Sequence, residues 1–181
     1  MKGVAVLAPG YGGTGEQPLL RRLAGRLEQA GLHTARITFS TKRATRDHVT
    51  EMNDLRAARE GLVAAYGGPV VLIGRSFGGR MAAFLAALEP PAALVILGHP
   101  ISPPGRPRPA DEEVLAALGC PTLVVQGDRD ELGPLAVLER LACRNPRVDL
   151  VSLPGTGHAF GPREGEAIDH AVRWLEATLT A

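Results

Sequence analysis

The sequence predicts an α/β fold: a three-layer, doubly wound sheet of about six parallel strands in the order 2-1-3-4-5-6. Three observations lead there. Apolar runs of strand length, rich in Val, Leu and Ile, recur along the chain, and stretches of helical period lie between them. Two further strand-like segments are more mixed, as suits the edges of a sheet. The 181 residues fit one core, because a chain of this size buries roughly 70% of its open surface without help from disulfides or metal. We expect a single domain over 1–181.

The first buried strand is Gly3 to Ala8. Leu20, Leu23, Leu27 and Ala30 then share a helical face that ends at Gly31, a plausible C′ residue. His33 to Phe39 alternates through Ala35, Ile37 and Phe39 and reads as an edge strand. Met52, Leu55, Ala58, Leu62 and Ala65 mark a second helix, and Pro69 to Gly74 a third, fully buried strand. Phe77 to Leu88 is apolar nearly all round and is placed as the most buried helix. Ala92 to Gly98 and Pro121 to Gln126 are further buried strands, while Arg147 to Leu153, with Asp149 and Ser152, is the second edge. A last helix carries Ile168, Ala171, Val172, Leu175 and Leu179. With strands 2 and 6 at the edges, right-handed winding reverses direction between strands 1 and 3. Ligands of such sheets bind outside the strands' carboxyl ends at that reversal, so a site is expected in the loops after Ala8 and Gly74.

Composition narrows the function. Twenty basic against 19 acidic residues give a net charge of +1, which lacks the polyanion footprint of a nucleic-acid binder and the charge excess of a disordered chain. No apolar run reaches membrane-spanning length, and the segment from Met1 to Ala8 is too short for a signal peptide. A cytoplasmic protein is expected. Cys120 and Cys143 lack metal-ligand neighbours and read as buried free thiols.

The loop after strand 3, Gly74-Arg75-Ser76-Phe77-Gly78-Gly79, is a G-x-S-x-G between a buried strand and a buried helix. The pentapeptide alone arises by chance in roughly one such chain in twenty. Its setting is more telling, because a sharp strand-to-helix turn with flanking glycines lifts a serine hydroxyl above the sheet edge. A serine needs a base, and the base an orienting acid. Asp128 and Asp130 follow strand 5, and His158, in Gly155-Thr156-Gly157-His158, follows strand 6. All lie on the rim that holds Ser76. Asp130 is favoured over Asp128, which suits a turn-capping role. Oxyanion donors are expected at the backbone amides of Phe77, just after the serine, and Tyr11, in Pro9-Gly10-Tyr11-Gly12-Gly13 after strand 1.

Together with Gln126-Gly127-Asp128-Arg129-Asp130 and Gly157-His158, these segments resemble the alpha/beta-hydrolase superfamily. Gly98-His99-Pro100-Ile101-Ser102-Pro103-Pro104-Gly105 further resembles a small lidless branch of predicted hydrolases related to dienelactone-hydrolase-like proteins. The resemblance implies a minimal alpha/beta-hydrolase fold without a cap domain, a Ser76-Asp130-His158 triad and oxyanion amides at Tyr11 and Phe77. It implies a serine hydrolase of small carboxylic esters or thioesters, acting through an acyl-serine with neither cofactor nor metal. The chain departs from the wider pattern at Pro9, where a His often stands, and lacks the first two strands.

Two other readings stay open at this level. Gly10-Tyr11-Gly12-Gly13-Thr14-Gly15 also satisfies the G-x-G-x-x-G dinucleotide fingerprint, and Ser40 to Arg43 would suit the 2′-phosphate of NADP. Against it, Pro18 is the natural first helical residue, well after the glycines. A catalytically silent hydrolase fold that binds a ligand or partner is the third class.

His99 to Pro109 holds Pro100, Pro103, Pro104, Pro107 and Pro109, and is too short and Pro-stiffened for a helical lid. A shallow, open site is expected. With one Trp, two Tyr and four Phe in the chain, the positions of Tyr11, Phe77, Phe39 and Phe160 beside the presumed site suggest an apolar wall. Phe39, His99, Phe160 and Arg75 are the candidate substrate-binding side chains. Arg43, Arg46, Arg75, Arg80 and Arg106 fall near the same rim, which would favour a carboxylate or phosphate on the substrate, though solvated surface is the default for them in so Arg-rich a chain.

Overall fold

The computed structural model describes residues 1–180. Six strands, β1 (Gly3–Ala8), β2 (Leu32–Arg36), β3 (Val70–Arg75), β4 (Ala93–Leu97), β5 (Thr122–Gly127) and β6 (Val148–Leu153), form one sheet in the order β2-β1-β3-β4-β5-β6. Every pairing is parallel. This is the expected winding, with its reversal between β1 and β3. Among the described residues no separate cap domain is present.

Alternation within the strands explains the two helical layers. Ala5 and Leu7 of β1, Val71 and Ile73 of β3, and Val95 and Leu97 of β4 face one side, against α1 (Pro18–Gln29) and α6 (Glu164–Thr180). Their neighbours Val4, Val6, Leu72, Leu94 and Ile96 face the other side. There they meet α2 (Val49–Tyr66), α3 (Phe77–Leu88), α4 (Pro109–Ala117) and α5 (Leu135–Arg144). A strand covered on both faces needs apolar residues at every position, hence the unbroken runs. The most buried helix is α3, where Gly78, Gly79, Met81, Ala82, Ala83, Leu85 and Ala86 are all buried.

Two expectations are corrected. Strand β2 ends at Arg36 rather than Phe39; the Ile37 amide still bonds the Leu7 carbonyl at 2.9 Å, after which the chain turns to carry Phe39 over the sheet's end. Of the cysteines only Cys120 is buried, because Cys143 lies on the solvent side of α5. Among the described residues no helix is long and apolar enough to cross a membrane.

Candidate active site

The carboxyl ends of β1, β3, β5 and β6 deliver the chemistry to one rim. Ser76 follows β3 directly and has φ +50°, a left-handed backbone uncommon for a non-glycine residue. The strain is held in place on both sides. The Ser76 amide donates to the Leu97 carbonyl at 3.0 Å, and the Ser76 carbonyl accepts from the Arg80 amide at 3.0 Å, starting α3. The flanking glycines are required by contact. A Cβ on Gly74 would lie 2.1 Å from the Gly79 nitrogen, and one on Gly78 would lie 2.5 Å from the carbonyl oxygens of Ala8 and Pro9. The elbow thus packs α3 against the end of β1 more closely than any side chain permits.

His158 arrives from the loop after β6. Its Nε2 lies 2.7 Å from Ser76 Oγ and its Nδ1 2.7 Å from Asp130 Oδ2. These distances form one continuous hydrogen-bonded chain from hydroxyl to carboxylate. The His158 side chain is 24% exposed and that of Asp130 is fully buried, so the hydroxyl end meets solvent and the acid end does not. Asp130 is fixed by two further donors: Gln126 Nε2 reaches Oδ2 at 2.7 Å and the Leu132 amide reaches Oδ1 at 2.9 Å. Three hydrogen bonds to a buried carboxylate leave it little freedom to leave the imidazole. Asp128 lies apart from the imidazole and accepts the Thr156 amide at 3.2 Å, tying the β5 loop to the β6 loop.

The β1 loop supplies the facing wall. Gly13 donates to the Gly10 carbonyl at 3.0 Å across a turn in which Gly12 has φ +69°, a conformation that favours glycine. A Cβ on Gly10 would touch Ser76 Cβ at 3.7 Å, so this turn runs against the elbow. Phe77 opens α3, and the amide of a first helical residue has no partner within its helix. The Phe77 ring meets Tyr11 at 5.7 Å and Phe39 at 5.5 Å, both edge-on. Phe39 thus lines a cavity beside the elbow together with Tyr11 and Phe77. Ser76 itself opens into a cleft of about 520 Å³ with Pro100, Pro103 and Leu132 on its walls.

Three side chains expected to face a substrate are placed elsewhere. Phe160 is 1% exposed and packs in the core with Leu153, Ala167 and Ile168. It anchors the His158 loop. His99 is also 1% exposed; its backbone exchanges hydrogen bonds with the Gln126 amide, and neither ring nitrogen has a protein partner. Burial pushes its pKa down to about 4, so the ring is neutral. Arg75 does not line the cleft. Its Nη1 donates to the Leu97 carbonyl at 3.1 Å and lies 3.3 Å from His158 Nε2, its Nη2 donates to the His158 carbonyl at 2.5 Å, and its guanidinium sits 5.4 Å over the Phe160 ring. Burial lowers the guanidinium from its ordinary pKa, against the opposing charges of Asp130 and Glu164. It ties the nucleophile loop to the histidine loop.

The chain matches the alpha/beta hydrolase domain family over residues 1–180. The chain belongs to this family. No curated protein matches significantly. Among solved structures, a serine hydrolase homologue from Coxiella burnetii is 26% identical, covering 95% of this chain and 84% of its own, with TM-score 0.80. A serine hydrolase without a lid from Xanthomonas campestris is 29% identical, covering 94% and 81%, with TM-score 0.74. A dienelactone hydrolase from Anabaena variabilis is 25% identical, covering 97% and 86%, also with TM-score 0.74. In this alpha/beta hydrolase, helix α1 begins at Pro18, so its amide-rich end does not open at the glycines of the β1 loop as a dinucleotide pyrophosphate would need. Gly15 instead packs against β2, where a Cβ would come within 2.8 Å of the Arg36 carbonyl.

Sequence reasoning gave Gln126 no role. The signal was present, since it is the one amide side chain in an apolar strand that is buried along its length. The partnership of Arg80 with Asp111, a two-pronged ion pair whose Nη2–Oδ2 arm measures 3.1 Å, had no local signal. Its two residues lie on different helices, α3 and α4.

Proposed function

We propose that this alpha/beta hydrolase cleaves small carboxylic esters or thioesters through an acyl-serine intermediate. The observation that carries the reading is the unbroken Ser76–His158–Asp130 contact chain, with 2.7 Å at each link. Ser76 Oγ attacks the substrate carbonyl while His158 Nε2 takes its proton, which makes a hydroxyl reactive near neutral pH. The buried Asp130 carboxylate accepts from Nδ1, fixing the tautomer that leaves Nε2 free and stabilising the imidazolium. The tetrahedral oxyanion is held by the amides of Phe77 and Tyr11, aimed in advance and costing no reorganisation. Collapse expels the alcohol or thiol, which takes the proton from His158. A water molecule, deprotonated by His158, then cleaves the acyl-serine to release the carboxylic acid and restore the hydroxyl.

The open cleft beside Ser76 and the apolar Tyr11–Phe77–Phe39 wall favour small acyl or alcohol groups. The scheme gives a burst when the acyl-serine accumulates. On rapid mixing with p-nitrophenyl butyrate, nitrophenolate equal to the enzyme concentration is expected to appear before the steady rate, wherever deacylation is the slower step. A silent binding protein would give neither burst nor turnover. Tight binding of NADPH by a protein that gives neither burst nor turnover would point to the dinucleotide reading instead.

A further inference from the structure

The cleft that holds Ser76 and the cavity across the Phe77 ring share Tyr11, Ala44 and Phe77, so they form one trough of two compartments. Lys42 and Arg43 line one compartment, Arg80, Arg106 and Arg108 line the other, and no Asp or Glu lines either. The whole chain balances 20 basic against 19 acidic residues, so composition does not account for this segregation. Three other surface grooves mix their signs. Arg59 lies with Glu60 and Glu89 in one, Arg21, Arg22 and Arg26 with Asp169 in another, and Arg144 with Glu112 and Glu113 in a third.

The charges in the serine compartment are largely uncompensated. Arg80 is neutralised from behind by the buried Asp111. Among the described residues neither Arg106 nor Arg108 forms an ion pair, and Arg108 spends one N–H on the Pro100 carbonyl at 2.8 Å. Burial lowers the Arg108 guanidinium from its ordinary pKa, and the charges of Arg80 and Arg106 add to that effect against Asp111. Like charges gathered in a partly dehydrated wall repel, and an oxyanion placed among them relieves the repulsion. A guanidinium fork also matches the paired oxygens of a carboxylate or phosphate.

Resting on the hydrolase reading, we propose that the substrate is an anionic ester or thioester whose carboxylate or phosphate group seats against Arg106 and Arg108 while its carbonyl meets Ser76. The wall is then a specificity device: it selects esters by a charge remote from the bond that breaks.

The test compares two p-nitrophenyl esters of matched length, the hemiglutarate, which carries a carboxylate, and the neutral pentanoate, each corrected for its rate with hydroxide. At low ionic strength the hemiglutarate is expected to lead in kcat/KM by about tenfold or more, mainly through KM. The ratio should shrink to about twofold in Arg106→Gln, and in wild-type enzyme at about 0.5 M KCl, where exposed charges are screened. Arg106 is exposed and makes no ion pair, and an unchanged melting temperature would show that the variant folds. Competition against hemiglutarate hydrolysis by succinate and by inorganic phosphate at about 50 mM separates the two sources of the anion, the stronger inhibitor naming the group. Equal use of the two esters, or a preference that survives Arg106→Gln, would overturn the proposal while leaving the hydrolase reading intact. Failure to turn over either ester would overturn that reading and this proposal with it.

Discussion

Ser76→Ala and His158→Ala are each expected to lower kcat on p-nitrophenyl butyrate by about a thousandfold or more, with KM little changed. In the proposed mechanism Ser76 contributes the bond-forming oxygen, and alanine at that position would leave only the oxyanion donors and the cleft to speed attack by water. His158→Ala keeps the oxygen but removes the acceptor 2.7 Å from it, so the hydroxyl would have to attack with its proton still on. Because both side chains serve one proton transfer, the double variant should be scarcely slower than either single one. The melting temperature should change little in Ser76→Ala, since the +50° backbone is held by main-chain bonds that the substitution leaves in place. Undiminished turnover in Ser76→Ala would dismiss the mechanism.

Asp130→Asn should cost about as much, up to roughly ten-thousandfold in kcat, while Asp128→Asn stays within a few-fold of wild type. The difference follows from what each carboxylate accepts. An Asn at 130 can turn its NH₂ toward His158 Nδ1, which then becomes the acceptor. The ring proton moves to Nε2, facing Ser76, where a base is needed. Neither orientation of the Asn amide is matched: its NH₂ would face the Gln126 Nε2 donor at the Oδ2 position or the Leu132 amide at the Oδ1 position. Asp128 accepts only from a backbone amide in the neighbouring loop, a task that an Asn oxygen can perform. Inactive Asp128→Asn beside active Asp130→Asn would reassign the acid.

Much of the fold was legible because burial on two faces writes itself into sequence as unbroken apolar runs. Gly3 to Ala8 and Phe77 to Leu88 have the expected bounds for that reason. The edges were harder. Ile37 and Phe39 alternate as a strand would, yet past Arg36 the chain leaves β1 and its apolar residues cover the sheet end. Ser76, Asp130 and His158 stood out because each follows a strand's carboxyl end, so knowing the strands gave the rim.

What escaped was side-chain direction. Arg75 and Phe160 lie beside Ser76 and His158 in sequence, but one turns to grip the His158 carbonyl and the other fills the core beneath it. A residue's neighbour in the chain is not its neighbour in the cleft. The basic trough was legible only in part: Arg43, Arg80 and Arg106 fall near the rim in sequence and do line it, whereas Arg46 and Arg75 do not and Arg108 was not singled out. Lys42 and Arg43 come from the loop after β2, Arg106 and Arg108 from the Pro-rich segment before α4, and only the folded sheet brings them to one mouth.

Reaction with a fluorophosphonate probe, followed by intact mass and peptide mapping, asks directly whether Ser76 is an activated nucleophile. The serine oxygen displaces fluoride at phosphorus and loses its proton to His158, leaving a stable phosphonyl adduct. The expected result is one adduct per chain on the peptide carrying Ser76, none in folded Ser76→Ala, and much slower labelling in His158→Ala. A folded wild-type protein that takes up no probe, or an adduct that persists in Ser76→Ala, would contradict the account.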